Sequence, residues 1–201
     1  MFLNPYEPLE IAKRFLPQWR QENSLYFITF RLADSVPRGK LSQWRLERDA
    51  WLAHHPQPWN DAEAKEFHQS FTSNLEHWLD KGAGDCLLRQ QAISEVVAEA
   101  LTFFQGKRYK LDARGIMPNH VQAPCHPHPG HDLSDILHSW KSFTSNKINL
   151  HLQRKGKLWQ EGSYNQIVRS DEHLHKLREY IQHNPAKANI MVHPASWLPS
   201  T

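Results

Sequence analysis

Two short stretches of this chain carry side chains whose types and spacing could perform chemistry together. Tyr180 stands four residues before Asn184, and residues four apart lie on one face of an α-helix. Earlier in the chain, His120 and Gln122 are two residues apart, which places both side chains on one face of a β-strand. If that face meets the helix, one imidazole nitrogen and two amide oxygens can converge on a cation. Mg²⁺ or Mn²⁺ suits this donor set better than a structural zinc does.

A cation beside a tyrosine hydroxyl is an arrangement suited to cutting a phosphodiester. The cation would polarise the scissile phosphate, and the Tyr180 oxygen would attack phosphorus to form a covalent phosphotyrosine. Because this link conserves the energy of the phosphodiester, the strand could be resealed without ATP. Tyrosine ionises at about pH 10, so the cation or a neighbour such as Lys176 or His173 must assist. The residues therefore predict nicking and rejoining of a strand with Tyr180 as the nucleophile.

The distribution of charge favours a polyanionic partner. The 201-residue chain has a net charge of +3, but residues 1–100 carry a net −3 and residues 101–201 a net +6. A basic half is typical of contact with nucleic acid, while a solvated charged face is the alternative that charge alone leaves open. The predicted DNA contacts are eight of the thirteen Lys and Arg residues of the second half, namely Lys107, Arg108, Lys141, Lys147, Arg154, Lys155, Lys157 and Lys187.

The composition restricts the class of protein. No apolar run approaches the length of a membrane span, and residues 1–20 do not resemble a signal peptide. Cys86 and Cys125 form no CxxC motif, so we expect a reduced, cytoplasmic protein with no membrane partner. The length suits a single domain over residues 1–201. A zinc site in the Pro/Gly-rich loop that carries His126, His128 and His131 is a further hypothesis.

The hydrophobic patterns predict an α+β fold. Residues 35–85 read as a helical insertion after the first strand, and the remaining order is strand, helix, strand, strand, helix, strand, helix. That order is typical of a ferredoxin-like split βαβ sandwich with an antiparallel sheet and an added C-terminal helix, which here carries Tyr180 and is expected to stop before Pro185. Strands are predicted at residues 25–32, 107–117, 120–125 and 163–168, and helices at 41–54, 61–79, 91–104, 133–153 and 171–183.

Several motifs, in this order, resemble the REP-associated tyrosine transposases of the HUH superfamily of single-strand endonucleases. The most specific are Met-Pro-Asn-His-Val at residues 117–121 and Tyr-Ile-Gln-His-Asn-Pro-Ala-Lys-Ala at residues 180–188. Tyr-Phe-Ile-Thr-Phe-Arg-Leu at residues 26–32 and Leu-Trp-Gln-Glu-Gly-Ser-Tyr at residues 158–164 extend the likeness over most of the chain. The resemblance implies a ferredoxin-like fold and a metal-dependent tyrosine that joins the 5′ phosphate of cleaved single-stranded or hairpin DNA.

The resemblance also assigns roles to individual residues. Tyr180 matches the nucleophile, His120 the first histidine of the HUH pair and Asn184 the third metal ligand. Gln122 stands where the family has the second histidine, and Arg114, Gly115 and residues 123–128 also depart from the family pattern. Two functions therefore remain open: a DNA-nicking transposase, and a hairpin-DNA-binding protein that cuts weakly or not at all. Strand cleavage distinguishes the two, and the sequence does not decide between a monomer and a homodimer.

Overall fold

Antiparallel strands form the centre of the fold. The structure is a computed structural model that describes residues 2–4, 10–12, 18–56, 59–187 and 197–198. Within these residues, six strands make one sheet and two make a separate hairpin. The hairpin strands are β1 Glu10–Ala12 and β2 Gln18–Arg20, and the sheet strands are β3 Tyr26–Arg31, β4 Tyr109–Leu111, β5 Arg114–Ile116, β6 His120–Pro127, β7 Tyr164–Ile167 and β8 Trp197–Leu198.

The helices divide into an insertion and the helices that pack on the sheet. The insertion joins β3 to α4, and a π-helical turn at His68–Thr72 links two of its helices into one nearly continuous rod. A short 3₁₀ turn at Leu87–Arg89 follows it. The insertion helices are α1 Arg38–His54, α2 Asp61–Phe67 and α3 Ser73–Asp80, and the others are α4 Gln91–Thr102, α5 Leu133–His151 and α6 Asp171–Lys187.

The order of the strands confirms the predicted ferredoxin-like arrangement. Neighbouring strands run β7-β3-β6-β5-β8, β4 also pairs with β6, and the registered pairs are all antiparallel. The crossover through α4 leaves a gap between β3 and β5 that β6 fills, and α5 returns the chain to β7 at the far edge. This is the split βαβ connection that the sequence pattern indicates.

The central strand β3 is buried on both faces. Its residues Tyr26–Arg31 are all buried, which explains why the sequence shows no polar–apolar alternation there. Ile28 and Phe30 pack with α4 and α5 in the main hydrophobic core, whereas Phe27 packs with residues of α6 on the opposite face. The insertion has its own apolar cluster, which also contacts β7 at Tyr164. Tyr164 is opposite Thr29, on the same face of β3 as Phe27, so the insertion and α6 lie on the same side of the sheet.

The structure corrects some of the predicted boundaries. The strand expected at residues 107–117 is two short strands, because the chain leaves the ladder at residues 112–113. The helix expected to stop before Pro185 continues to Lys187, since a proline in the last turn removes one hydrogen bond without preventing the next two residues from staying helical. Pro124 lies inside β6, opposite Phe27, and its carbonyl accepts the Asp112 amide at 3.0 Å.

Candidate active site

His120 is buried at the start of β6 with one ring nitrogen held in place. Its Nδ1 lies 2.9 Å from Asn119 Oδ1, while the Asn119 amide nitrogen donates to the carbonyls of Leu79 and Ala83 at 3.1 and 3.2 Å. Since that network leaves Oδ1 only able to accept, Nδ1 carries the proton and Nε2 presents a lone pair. Burial, with a smaller effect from the charge of Arg31, lowers the pKa of His120 to about 3. The ring is therefore neutral at physiological pH.

Gln122 and Asn184 meet between β6 and α6. Asn184 Nδ2 donates to Gln122 Oε1 at 2.8 Å, although the two residues lie 62 positions apart in the chain. Both side chains are 1% exposed, and Asn184 Oδ1 is a buried oxygen for which the described residues supply no hydrogen bond. The structure thus brings together two of the three predicted ligands and leaves one oxygen unsatisfied, which is uncommon for a buried polar atom.

Tyr180 lies on α6, one helical turn before Asn184. It is half-buried, and its ring meets Phe27 edge to face with centroids 6.5 Å apart. Phe27 is opposite Pro124, two residues along β6 from Gln122, and therefore on the same face of the sheet. The predicted nucleophile and the predicted ligands consequently share the face of the sheet that α6 covers. Lys176, considered as a helper for Tyr180, makes an exposed ion pair with Glu172.

Two contacts fix the position of α6 over this face. Gly115 is opposite Gln122 in the sheet, and a Cβ at Gly115 would lie 2.9 Å from Ile181 Cγ2. The absence of a side chain therefore lets α6 approach β5 closely at the level of Gln122. At the other point, Arg178 Nε donates to Asp112 Oδ2 at 2.7 Å, with a second bond from the same guanidinium to the other carboxylate oxygen. This bidentate pair ties α6 to the break between β4 and β5.

The donor set fits a hard divalent cation. The Nε2 lone pair of His120 is free of a proton, its other nitrogen is oriented by Asn119 in the way that metal-bound histidines are commonly oriented, and Asn184 Oδ1 is unsatisfied. Gln122 can contribute its oxygen in exchange for the bond to Asn184. All three ligands are neutral, and the nearby charge of Arg31 opposes a cation. A cation held here would depend on a further anionic ligand for tight binding.

Comparison with known proteins identifies the segment that contains this site. The profile of the family described as "Transposase IS200 like" matches residues 87–184 and so includes His120, Gln122, Tyr180 and Asn184. Residues 87–184 are therefore similar to the IS200-like transposases. No curated protein matches the sequence significantly.

Two solved structures resemble the chain at the level of its overall shape. One is a REP-associated tyrosine transposase bound to a REP hairpin, with 12% identity, a TM-score of 0.47, and coverage of 92% of this chain and 93% of that one. The other is a protein from Deinococcus radiodurans R1 assigned as a transposase, with 14% identity, a TM-score of 0.37, and coverage of 80% and 89%. Both scores lie below 0.5, so the description of the fold rests on the strand order given above.

Three of the predicted DNA contacts differ in where their side chains lie. Lys147 pairs with Glu99 at 2.7 Å on the helical layer formed by α4 and α5, on the opposite side of the sheet from α6. Arg108 lies in the same layer, with its guanidinium 3.6 Å from the centre of the Phe104 ring. Lys141 points inward, where Nζ donates to the carbonyls of Gln160, at 2.8 Å, and Gly162. Burial lowers the pKa of Lys141 to about 8.

The remaining cations lie near the chain between α5 and β7 or at the end of α6. Arg154 Nε donates to Asn149 Oδ1 at 3.1 Å, and Lys155 and Lys157 are exposed on the same basic turn. Lys107 is exposed before β4. Lys187 ends α6, and its side chain lies outside the described residues. A role in DNA contact remains a prediction for each of these cations.

Sequence reasoning missed the residues that surround the ligands. Arg31, opposite His120 on β3, and Asn119, which orients the imidazole, lie inside two of the motifs quoted above, but the motifs gave neither residue a role. The position of Arg31 across the sheet from His120 becomes visible only once the strand register is known. The alternative zinc site at His126, His128 and His131 is not formed, because the described residues contain no group of three His, Cys, Asp or Glu side chains that could hold a metal. No described helix is both long and apolar enough to cross a membrane.

Proposed function

We propose that this chain is a single-strand DNA endonuclease and strand transferase that acts on hairpin DNA through a phosphotyrosine at Tyr180. The match of residues 87–184 to the IS200-like transposases supports a DNA-cleaving activity. The motif resemblance described above supports the finer choice of a hairpin substrate and a tyrosine nucleophile.

One observation carries the proposal, namely the contact between Gln122 and Asn184. Two amides from distant parts of the chain meet at 2.8 Å in a buried position, with an unsatisfied oxygen beside them. A purely structural role would be served as well by an apolar pair, without the cost of burying polar groups. The arrangement is better explained by side chains kept ready to bind a ligand.

His120, Gln122 and Asn184 would hold Mg²⁺ or Mn²⁺ in the working enzyme. Such an ion supplies charge stabilisation for the oxygens of the scissile phosphate. The three protein ligands are neutral, so the phosphate itself would provide the anionic partner. We therefore expect metal and DNA to bind cooperatively, each strengthening the other.

Tyr180 performs the covalent step. Its oxygen forms a bond to phosphorus as the bond from phosphorus to the 3′ oxygen of the neighbouring nucleotide breaks. The 5′ phosphate stays on the protein, the Tyr180 hydroxyl gives up its proton to water, and the leaving oxygen takes up a proton from water to become a 3′ hydroxyl. Attack by a 3′ hydroxyl on the phosphotyrosine reverses these changes and reseals a strand. Packing of the ring against Phe27 limits the rotamers open to Tyr180 while leaving it half-exposed.

Tyr180→Phe tests the proposal directly. The variant keeps the ring and its contact with Phe27, so stability should change by only about 1 kcal/mol, the scale of one hydrogen bond. End-labelled hairpin DNA mixed with the protein and Mn²⁺ should give an adduct on a denaturing gel with the unmutated chain and none with Tyr180→Phe. An adduct that persists in the variant would exclude Tyr180 as the nucleophile.

The binding-only alternative predicts a different result in the same assay. Gln122 in place of a histidine, and its satisfied bond to Asn184, favour that alternative. Hairpin binding by the unmutated chain without any adduct would support it. Equal affinity for hairpin and blunt duplex DNA at moderate salt would count against both readings, because each requires recognition of unpaired DNA.

A further inference from the structure

A cleft beside His120 contains polar groups for which the chemistry described above has no use. It is lined by Thr29 and Arg31 of β3, by Leu75 and Leu79 of α3, and by the loop at residues 160–164 that leads into β7. Arg31 is opposite His120 in the sheet, so the cleft adjoins the end of the site at which the imidazole lies. The third wall comes from the helical insertion, whose last turn also holds Asn119 through the Leu79 carbonyl.

Arg31, which lines this cleft, has other cationic side chains near it. Arg31 is only 6% exposed, and burial together with the charge of Arg45 lowers its pKa to about 10. After burial, the charge of Arg31 is the next cause of the lowered pKa of Lys141. The charge of Glu161 acts in the opposite direction and raises that pKa. Three cations from β3, α1 and α5 therefore lie within electrostatic reach of one another. The positive charge of Arg31 and its neighbours favours binding of an anion beside them.

An independent feature indicates hydrogen bonding to a ligand. Thr29 lines the cleft and is 7% exposed, and its hydroxyl is a buried oxygen to which no described group bonds. Thr29 and Arg31 are two residues apart on β3 and point to the same face of the sheet. A hydroxyl beside a guanidinium offers donors that match the oxygens of a phosphate.

The wall formed by residues 160–164 is held in position by the same set of residues. Lys141 donates to the carbonyls of Gln160 and Gly162, and the Gln160 amide donates to the Arg31 carbonyl at 2.8 Å. Lys141 thus acts on the shape of the cleft, in contrast to the surface contact with DNA that charge alone predicts. A rigid wall reduces the ordering that a bound ligand would require.

We propose that this cleft binds a phosphate group, with the Arg31 guanidinium and the Thr29 hydroxyl as donors, and that in the working protein the phosphate belongs to the DNA strand. This deepens the proposed function, on which the identity of the DNA partner rests. The helical insertion then serves as one wall of a second phosphate position next to the cleavage site. Such a contact would fix the register of the strand relative to Tyr180.

The first arm of the test measures the anion site without DNA. Inorganic phosphate should raise the melting temperature of the unmutated chain more than sodium chloride of equal ionic strength does, because a ligand that binds only the folded state stabilises it. Arg31→Gln and Thr29→Val should each reduce that increment. Arg114→Gln is the matched control, since Arg114 is equally buried at 7% exposure but donates to the Ala98 carbonyl away from the cleft.

The second arm locates the phosphate on the DNA. Hairpin DNA is made with single neutral methylphosphonate linkages, and the affinity for each is compared between variants. One linkage should weaken binding by the unmutated chain roughly tenfold or more, as expected for losing a hydrogen bond to a charged group. The same linkage should have little effect on Arg31→Gln, while Arg114→Gln retains the full effect. If Arg31→Gln does not fold, Arg31→Lys and Thr29→Val answer the same question.

The outcomes separate this inference from the proposed function. Phosphate stabilisation without DNA binding would support the anion site and refute the DNA activity. Normal adduct formation, with no phosphate effect and no linkage that couples to Arg31, would refute the anion site and leave the activity intact. Failure of both arms would overturn the inference.

Discussion

Gly115→Ala tests the close approach of α6 to the sheet. The added Cβ would lie 2.9 Å from Ile181 Cγ2, whereas two carbon atoms in good contact are about 3.5–4.0 Å apart. Ile181 is fully buried and cannot turn toward solvent. We therefore expect α6 to move outward by roughly half an ångström or more at the level of Gln122.

Gly115→Ala has one destabilising and one stabilising effect on the fold. Forcing a methyl group into a packed contact typically costs about 1–3 kcal/mol, and replacing glycine stabilises by about 0.4–1 kcal/mol through the unfolded chain. We expect a net loss of about 1 kcal/mol in the free energy of unfolding. The effect on cleavage should be larger, because Ile181 lies between Tyr180 and Asn184 on the displaced helix. A misplacement approaching 1 Å can reduce a catalysed rate by about a hundredfold.

Urea unfolding and the rate of adduct formation measure the two effects. Gly39→Ala is the control, since nothing lies within 4 Å of the added Cβ in α1 and its stability and activity should not fall. Ile181→Ala in the Gly115→Ala background should remove the overlap, so the double variant should lose less stability than the two single losses added together. Unchanged stability and an unchanged adduct rate in Gly115→Ala would refute the packing described here.

Three further predictions concern the ligands and the helix that carries them. Gln122→His should increase affinity for Mn²⁺ in a titration, since imidazole binds such ions more tightly than a neutral amide does; no change would remove Gln122 from the site. In metal-free buffer, the free energy of unfolding should fall as the pH drops below about 6.5. The cause is that His120 binds a proton in the unfolded chain near that pH, whereas in the folded protein its pKa is about 3. His120→Gln should make the free energy of unfolding less dependent on pH in this range. Arg178→Ala should destabilise the fold by about 1 kcal/mol, after allowance for the partial exposure of its pair with Asp112, and should slow adduct formation. His175→Ala breaks only an exposed contact with Glu179 on the same helix and should change neither.

The sequence predicts the fold well where residue composition or periodicity is distinctive. The strand at Tyr26–Arg31 and the helix that begins at Asp171 lie where the patterns place them, and the antiparallel order of the sheet follows the predicted split βαβ connection. The short pairs at Glu10–Ala12 with Gln18–Arg20, and at Trp197–Leu198 with β5, were not predicted. Strands of two or three residues show too little alternation to be recognised, and their pairing depends on contacts distant in the chain.

The candidate site was predictable in its residues but not in its contacts. Alternation along a strand and the helical repeat correctly place His120 with Gln122, and Tyr180 with Asn184, on single faces. The meeting of those faces depends on Gly115 and on the bond between Arg178 and Asp112, which no local pattern reveals. Lys141 shows the limit of reasoning from charge alone, because its ammonium binds backbone carbonyls inside the fold.

The register of the sheet relates Gly115 to Gln122, two of the positions at which the sequence differs from the motifs that it resembles. They are opposite each other on β5 and β6, and both contact α6, Gly115 through Ile181 and Gln122 through Asn184. A missing side chain at Gly115 lets the helix come closer, and a closer helix brings Asn184 within hydrogen-bonding distance of the Gln122 amide. We therefore infer that the two residues act together, so reverting Gln122 to histidine should have its full effect on metal binding only when the spacing set by Gly115 is retained.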